Sequence, residues 1–199
     1  APGNSLLEFF GFTSQNIINN VKKILGWIWN YKLRKIQMAI NVAINGFGRI
    51  GRSILRALYE SNNKEIKIVA INDVGDIKVS ALLIKYDSVH GFFDKSVESN
   101  ENELIIEGDK IPIYSDRDPT HLDWAKHNVD VVYECTGKFT KKEDAKVHIE
   151  VGGAKKVIIS APGQNADSTI VYGVNEDSIG SDDKIISNAS CTTNCIAPV

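Results

Sequence analysis

The feature that most constrains this chain is a glycine-rich turn between a predicted strand and a predicted helix. Residues 40–45 (INVAIN) are apolar and β-branched, which predicts a buried strand. The turn follows the spacing G-x-G-x-x-G, with Gly46, Gly48 and Gly51. Apolar residues recur at helical spacing over 53–61, and a second buried strand is predicted over 66–73. This order predicts a β–α–β unit with a right-handed connection, the context in which the glycine spacing becomes informative.

The glycine spacing predicts a dinucleotide-binding turn. Gly46 permits the tight turn, Gly48 lets the backbone approach a pyrophosphate, and Gly51 lets helix and strand pack closely. The helix N-terminus offers free N–H groups and a partial positive charge to the phosphates. Asp73 ends the second strand, where a carboxylate can bind the ribose hydroxyls and repel a 2′-phosphate, so NAD is favoured over NADP. The alternative is that Asp73 only caps the following helix.

The rest of the chain predicts an α/β fold of the Rossmann type, a doubly wound, mainly parallel sheet with a small antiparallel insertion. Further helices are predicted over 78–87, 119–128 and 141–153. Three short runs separated by turn residues, 96–99, 103–108 and 110–115, predict the antiparallel insertion. Further buried strands are predicted over 129–137, 155–162, 168–175 and 183–188. Buried strands that alternate with helices are typical of this fold class.

Charge and cysteine content narrow the functional classes. The 199 residues carry a net charge of −2; residues 1–37 hold five basic residues and one acid, a balance of +4, so residues 38–199 carry −6. The net charge gives no argument for binding nucleic acid or a membrane. The three cysteines are Cys135, Cys191 and Cys195. This low, odd number predicts free thiols in a reducing, cytoplasmic compartment rather than a disulfide framework.

Residues 1–37 form an N-terminal extension whose role stays open. Its apolar residues recur at helical spacing beside lysines and an arginine: Ile17, Ile18, Val21, Ile24, Leu25 and Ile28. One interpretation is a helix that lies on an anionic membrane surface. A second is an organellar transit peptide, because the segment is basic and poor in acids. A third is an artificial leader or read-through sequence, because Met38 directly precedes the glycine motif and resembles a natural start.

A candidate nucleophile lies in the segment NASCTTNC. Cys191 follows a predicted strand and would begin a helix, and a helix N-terminus stabilises the nucleophilic thiolate form of cysteine. A thiolate can attack an aldehyde to form a thiohemiacetal, the hydride donor to a nearby nicotinamide. We expect Cys195, one helical turn on, to have a packing role, and Cys135 to be a core residue. The C-x-x-x-C spacing differs from a redox C-x-x-C, and no histidine cluster predicts a metal site.

Seven motifs across residues 38–199 resemble, in order and spacing, the glyceraldehyde-3-phosphate dehydrogenase family. They are INGFGRIGR, IND, YDSVHG, DRDP, ECTGKF, GGAKKVIISAP and SNASCTTNCIAPV. The resemblance implies a glycolytic enzyme that oxidises glyceraldehyde 3-phosphate with NAD and inorganic phosphate, and a homotetramer for the full-length protein. The related erythrose-4-phosphate dehydrogenases typically carry Glu-Leu where this chain has Asp73 and Val74, which favours the glyceraldehyde enzyme.

The resemblance also implies the site residues. Cys191 matches the catalytic nucleophile, and Ser190 and Thr192 match positions that contact the substrate or its phosphate. The implied cofactor-binding residues are Gly46, Phe47, Gly48, Arg49, Ile50, Gly51, Asp73, Arg117, Thr136, Gly137 and Ser160. No metal site is implied.

The same resemblance implies how the chain is divided into domains. Residues 1–37 are the extension, 38–187 the NAD-binding Rossmann domain, and 188–199 the start of a truncated catalytic domain. The family chain continues well beyond this point, and its base histidine lies in that continuation. The histidines of this chain lie at other motif positions: His90, His121, His127 and His148. We therefore expect a fragment that binds NAD but is incomplete for catalysis; the alternative is a non-enzymatic nucleotide-binding or interaction module.

Overall fold

The computed structural model describes residues 39–61 and 63–199. The predictions for residues 1–37 therefore lie outside the described residues. The described part of the chain forms a nine-stranded sheet with helices on both faces, and a separate two-stranded hairpin. Residues 39–61 and 63–199 contain no candidate membrane-spanning helix.

The bounds of the elements follow the sequence patterns closely at the glycine turn and less closely elsewhere. The strands are β1 (Ile40–Asn45), β2 (Ile66–Asn72), β3 (Tyr86–Asp87), β4 (Gly91–Phe92), β5 (Val97–Ser99), β6 (Glu103–Ile106), β7 (Asp109–Tyr114), β8 (Val131–Glu134), β9 (Lys156–Ile159), β10 (Ser168–Thr169) and β11 (Ile185–Ser187). The helices are α1 (Arg49–Glu60), α2 (Ile77–Lys85), α3 (Lys142–Ala145), α4 (Val147–Glu150) and α5 (Cys191–Ile196). Short 3-10 helices span Pro119–His121, Ala125–His127 and Glu176–Ser178.

The sheet has the strand order β10-β11-β9-β8-β1-β2-β7-β6-β5. Along this order, every pair of neighbouring strands from β10 through β2 to β7 is parallel. Strand β6 pairs antiparallel with both β7 and β5. The predicted Rossmann-type fold with a small antiparallel insertion is therefore confirmed. Strand β1 lies between β2 and β8, so the chain winds to one side of β1 and then to the other. The crevice at the carboxyl ends of β1 and β8 is the switch point at which such sheets bind ligands.

The sheet is buried on both faces, which explains why its strands are almost continuously apolar. On one face, Val42 and Ile44 of β1 join a buried cluster with Leu55 of α1. On the other face, Ala43 joins a second cluster with the fully buried Trp124. Helices α1 and α2 thus cover one face, and the two 3-10 turns after β7 together with α3 and α4 cover the other.

Two predicted helices are wrong in their form. The segment 119–128 forms two 3-10 turns, because Leu122 and Trp124 are both buried and a spacing of two residues cannot place both on one helix face. Asn128 ends the second turn in the left-handed region, at φ 50°. The predicted helix over 141–153 divides at Lys146 into α3 and α4.

The predicted strand over 168–175 is also wrong in length. Only Ser168–Thr169 pair with β11. The chain then turns, since the Asn175 side chain accepts a hydrogen bond from the Val171 N–H at 2.7 Å and Gly173 has φ 84°.

Helix α2 begins at Ile77 because the Asp76 carboxylate caps it, accepting hydrogen bonds from the N–H groups of Lys78 and Val79.

Candidate functional site

The three glycines occupy three different steric environments at the carboxyl end of β1. Gly46 has φ 92°, and a Cβ atom there would lie 2.6 Å from the backbone nitrogen of Thr136. A Cβ on Gly51 would lie 2.4 Å from the carbonyl oxygen of Gly46. Both positions therefore require glycine for the fold itself. At Gly48, by contrast, a Cβ would meet no atom within 4 Å, so this position faces open space.

The open space borders the N-terminus of α1. Gly48 is the N-cap residue and provides no side-chain hydrogen bond, so the first N–H groups of the helix lack a side-chain acceptor. Arg49 and Ile50 are exposed here, and the Arg49 guanidinium lies 3.4 Å from the carboxylate of Asp87. Uncapped N–H groups and a partial positive charge are what a diphosphate needs.

Asp73 lies beside the glycine loop, as the sequence predicted. Its Oδ1 accepts a hydrogen bond from the backbone N–H of Phe47 at 3.2 Å, and its own N–H donates to Tyr114 O at 2.9 Å. The alternative that Asp73 caps the next helix does not apply, because Asp76 provides that cap. The Phe47 side chain is fully buried, so only its main chain faces the loop.

The Arg52 side chain forms a hydrogen bond with the main chain of the glycine loop. Its Nη1 donates to the carbonyl oxygen of Phe47 at 2.8 Å, while its buried Nε has no hydrogen-bond partner. Burial, together with the nearby Arg49 charge, lowers the pKa of Arg52. The carboxylates of Asp73 and Asp87 also interact with the Arg52 charge.

The remaining predicted cofactor residues lie at the carboxyl ends of neighbouring strands. Thr136 and Gly137 follow β8 across the switch point from Gly46, and Gly137 is exposed with φ 71°. Ser160 follows β9, and its N–H donates to the Glu134 carbonyl at 3.0 Å. Arg117 is exposed on the loop that follows β7. Because these strands are parallel, all four residues lie at the edge of the sheet that carries the glycine loop.

Cys191 lies at the same edge, on the other side of β9. It is the first residue of α5 and is exposed. The Ser190 Oγ caps this helix by accepting a hydrogen bond from the Thr193 N–H at 2.9 Å, and it lies 2.8 Å from the Thr192 hydroxyl. Strand β11, which leads to Cys191, is three strand spacings from β1, about 14 Å at the usual separation. A ligand that touches both must therefore extend across the sheet.

The turn before Cys191 is held by buried polar contacts. Ala189 has φ 54°, in the left-handed region, and donates its N–H to the Ser187 hydroxyl at 3.1 Å. The buried Asn194 side chain donates to the carbonyl oxygens of Asn188 and Ser190, each at 2.9 Å. These contacts fix the start of α5 relative to the end of β11.

The other two cysteines differ from Cys191 in their surroundings. Cys195 is half-buried on the same short helix. Cys135 follows β8 and packs against the core, and burial raises the pKa of its thiol to about 12. All three cysteines are free. Within residues 39–61 and 63–199, no group of three or more His, Cys, Asp or Glu side chains could hold a metal ion.

Sequence reasoning missed a buried hydrogen-bond network beneath the site, which we call the polar network. Its members are Asn45, Asn72, Asp116, Trp124, Glu134, Thr136 and His148. Asn45, Asn72 and Glu134 are buried and end strands β1, β2 and β8 respectively. The sequence shows each of the three as a polar residue at the end of an apolar run, but it does not show that they contact one another.

The parallel sheet, the uncapped helix at the glycine turn and the adjacent acid define a dinucleotide-binding α/β domain. The family model described as "Glyceraldehyde 3-phosphate dehydrogenase, NAD binding domain" matches residues 40–142, just over half of the chain. The chain belongs to the glyceraldehyde-3-phosphate dehydrogenase family and carries its NAD-binding domain. The prediction of NAD as the cofactor is thereby confirmed.

Individual relatives agree with this assignment. The chain is similar to the glyceraldehyde-3-phosphate dehydrogenase of Pseudomonas aeruginosa (52% identity over 163 residues) and to that of Geobacillus stearothermophilus (54% over 164 residues). It is also 52% identical over 162 residues to glyceraldehyde-3-phosphate dehydrogenase 1 of Bacillus subtilis. Each alignment covers 81% of this chain and 48% of the relative. The chain thus spans about half the length of the curated relatives it matches.

Proposed function

We propose that this chain binds NAD at the switch point between β1 and β8, with the diphosphate over Gly48. The observation that carries the proposal is the contrast between the three glycines: two are closed in by backbone atoms, and the third faces open space at an uncapped helix N-terminus. Packing explains why Gly46 and Gly51 are glycines but does not explain Gly48. A ligand that approaches the backbone there does.

The other predicted residues have corresponding roles in this proposal. The N–H groups of Arg49 and Ile50 bind the diphosphate, and the Asp73 carboxylate binds the adenosine ribose. The remaining contacts come from the loops that flank the switch point: Arg117, Thr136, Gly137 and Ser160. Phe47 contributes through its main chain, because its side chain is in the core.

Replacing Gly48 with threonine tests the proposal. Threonine caps a helix about as well as glycine does, so the free energy of unfolding should change by no more than about 0.5 kcal/mol. Its side chain would fill the space above the turn, and we expect NAD to bind at least about tenfold more weakly in calorimetric titration, a loss of about 1.4 kcal/mol. Gly108→Asn, which also adds a side chain in open space but at the β6–β7 turn, is the control; φ is 85° there, and asparagine is among the residues that best tolerate the left-handed region. Undiminished NAD binding by Gly48→Thr would refute the proposed position of the diphosphate.

We further propose that the protein to which this chain belongs, called the parent protein below, catalyses the reaction of its family. That reaction is the NAD-dependent, phosphorylating oxidation of glyceraldehyde 3-phosphate in glycolysis. The Cys191 thiolate adds to the aldehyde carbon to form a thiohemiacetal. Ser190 and Thr192, beside it at the start of α5, contact the substrate or its phosphate. When bound, NAD supplies the hydride acceptor. Support comes from the exposed thiol at the same edge of the sheet as the glycine loop.

The 199-residue chain, assayed alone, should bind NAD with little or no turnover. We propose 38–187 as the NAD-binding domain and 188–199 as the start of the catalytic domain. None of the four histidines matches the family base, and three have partners elsewhere: His121 with Asp116, His127 with Tyr114, and His148 with Glu134. A missing general base costs about 10²–10⁴-fold in rate. Formation of NADH from glyceraldehyde 3-phosphate at ordinary enzyme rates would contradict this proposal.

We also propose that the parent protein is a cytoplasmic homotetramer. Support for self-association comes from an apolar surface of α2 and the β3–β4 hairpin, on which Leu82, Tyr86 and Phe92 are each about 60% exposed. Surfaces of this kind mark protein–protein contacts. Sedimentation of the wild type and of Leu82→Asp tests the proposal: the substitution should shift the population towards smaller species. Support for a reducing compartment comes from the three free cysteines.

A further inference from the structure

We propose that Glu134 is a positioning residue for the NAD site, and that it acts through the polar network rather than by touching the cofactor. It holds the loop after β8 directly, and it holds the loop that carries Arg117 through Asn45 and Asn72. The inference rests on the proposed NAD site. It adds a residue that neither the glycine motif nor the family motifs assign a role.

One end of the polar network is fixed by main-chain groups of Asp116. The Asp116 N–H donates to Asn72 Oδ1 at 2.9 Å, and the Asp116 carbonyl accepts from Asn72 Nδ2 at 2.9 Å. A main-chain N–H can only donate and a carbonyl can only accept, so the Asn72 amide has one possible orientation. Its second N–H hydrogen then reaches Asn45 Oδ1 at 2.8 Å, which turns Asn45 Nδ2 towards Glu134 Oε2 at 2.6 Å.

The other end of the polar network is fixed by the indole N–H of Trp124, which can only donate a hydrogen bond. Trp124 Nε1 donates to His148 Nδ1 at 3.1 Å, so this ring nitrogen is the acceptor. In the neutral imidazole the proton is then on Nε2, which lies 3.1 Å from Glu134 Oε2. The same Nε2 lies 3.4 Å from Asn45 Nδ2, a contact between two donors rather than a hydrogen bond.

Glu134 is therefore an acceptor for every neighbour. Its Oε2 accepts from Asn45 and His148, and its Oε1 accepts from both the N–H of Thr136, at 2.8 Å, and the Thr136 hydroxyl. The side chain is 1% exposed. A carboxylate that accepts four hydrogen bonds satisfies these donors, and no neutral group of the same size accepts all four.

The network connects the loops that flank the proposed cofactor site. Thr136, held by Glu134, in turn accepts the Lys138 N–H at 3.0 Å, which defines the course of the loop after β8. That loop contacts Gly46, where the backbone approach leaves no room for a Cβ. At the far side, Asn72 holds Asp116, the neighbour of Arg117. One buried carboxylate thus holds loops on both sides of the glycine turn in place before the ligand binds.

The consequence for binding follows from the fraction of molecules in which these loops are in place. The apparent Kd equals the intrinsic Kd divided by that fraction. If loss of the carboxylate lowers the fraction to about a tenth, NAD binds about tenfold more weakly with no direct contact removed. A purely structural role for Glu134 would lower the stability and leave the affinity of the folded protein unchanged.

The test is Glu134→Gln in the 199-residue chain. The new NH₂ group replaces an acceptor with a donor, and it meets Thr136 on one side or Asn45 and His148 on the other. In the unliganded protein, hydrogen exchange should become faster at the Thr136 N–H than in the wild type. Calorimetric titration should give about tenfold weaker NAD binding to the folded variant.

A matched control separates positioning from loss of stability. Ile106→Val removes a buried methylene from β6, in the antiparallel insertion, where Ile106 pairs with Asp109 at the start of β7. It should lower stability and leave the NAD Kd within about twofold. If Glu134→Gln fails to fold, Asn72→Ser cuts the network at its other end, and exchange should then increase at the Asp116 N–H while NAD binding weakens.

The outcomes distinguish this inference from the proposed function. If the wild type itself does not bind NAD, the proposed function fails. If the wild type binds NAD and the network variants bind it equally well, the positioning role is overturned. It is also overturned if NAD binding weakens while exchange at Thr136 and Asp116 stays unchanged, or if Ile106→Val weakens binding as much as the network variants do.

Discussion

The glycine loop and the Cys191 segment lie at the same edge of the sheet, but they are held in place in different ways. Asn45, Gly46 and Phe47 are buried, and two of the loop glycines contact backbone atoms. Cys191 is exposed on a helix of six residues. In the first region packing decides the residue type. In the second region packing does not decide the residue type, because the Cys191 side chain is exposed.

The most damaging change to the glycine loop should be Gly46→Ala. Alanine at φ 92° is strained, and its Cβ would lie 2.6 Å from Thr136 N. We expect the free energy of unfolding to fall by about 3 kcal/mol or more, measured by urea denaturation. If this variant keeps wild-type stability, the glycine loop is not fixed by packing and the contrast with Gly48 disappears.

The second effect concerns Cys135, the cysteine of the buried region. Burial raises the pKa of its thiol from 9.0 to about 12. The unfolded chain therefore loses the proton first as pH rises, so the stability present below pH 9 decreases between pH 9 and 12. Relative to Cys135→Ala, the wild type should lose about 1 kcal/mol by pH 10. Parallel stability–pH curves for the two proteins above pH 9 would show that Cys135 is not buried in this way.

The smallest effect on folding should come from Cys191→Ser. The side chain is exposed and has no core partner, so the free energy of unfolding should change by less than about 0.5 kcal/mol. In the wild type, iodoacetamide at pH 8 should label Cys191 and leave Cys135 as a thiol, as measured by peptide mass spectrometry. Equal labelling of the two cysteines would remove the distinction between the exposed and the buried region.

The sequence predicted the glycine turn and its surroundings well. Strand β1, helix α1, strand β2 and the position of Asp73 follow from local patterns, because a buried parallel strand and an amphipathic helix each leave a clear spacing of apolar residues. The roles of Gly46 and Gly51 could be inferred from the same short motif. NAD as the cofactor followed from these elements and from the acid beside them.

Elements that depend on distant contacts could not be predicted. Trp124 departs from the helical pattern because its side chain packs beneath Gly152. A Cβ atom on Gly152 would lie 2.4 Å from the indole ring. The polar network joins residues that are far apart in the chain, such as Asn45 with Asn72, 27 positions away, and Asn45 with Glu134, 89 positions away. No local spacing encodes such pairs, so only the assembled sheet could bring them together.

The left-handed turn at Ala189 has a consequence for the position of Cys191. A residue with a Cβ is costly at φ 54°, by about 1–2 kcal/mol, yet this one is buried and hydrogen-bonded on either side. Neighbouring groups therefore impose the bend, and the bend does not arise from the flexibility of the residue. The orientation of the Cys191 thiol is thus determined by side chains that come before and after it in the chain, Ser187 and Asn194.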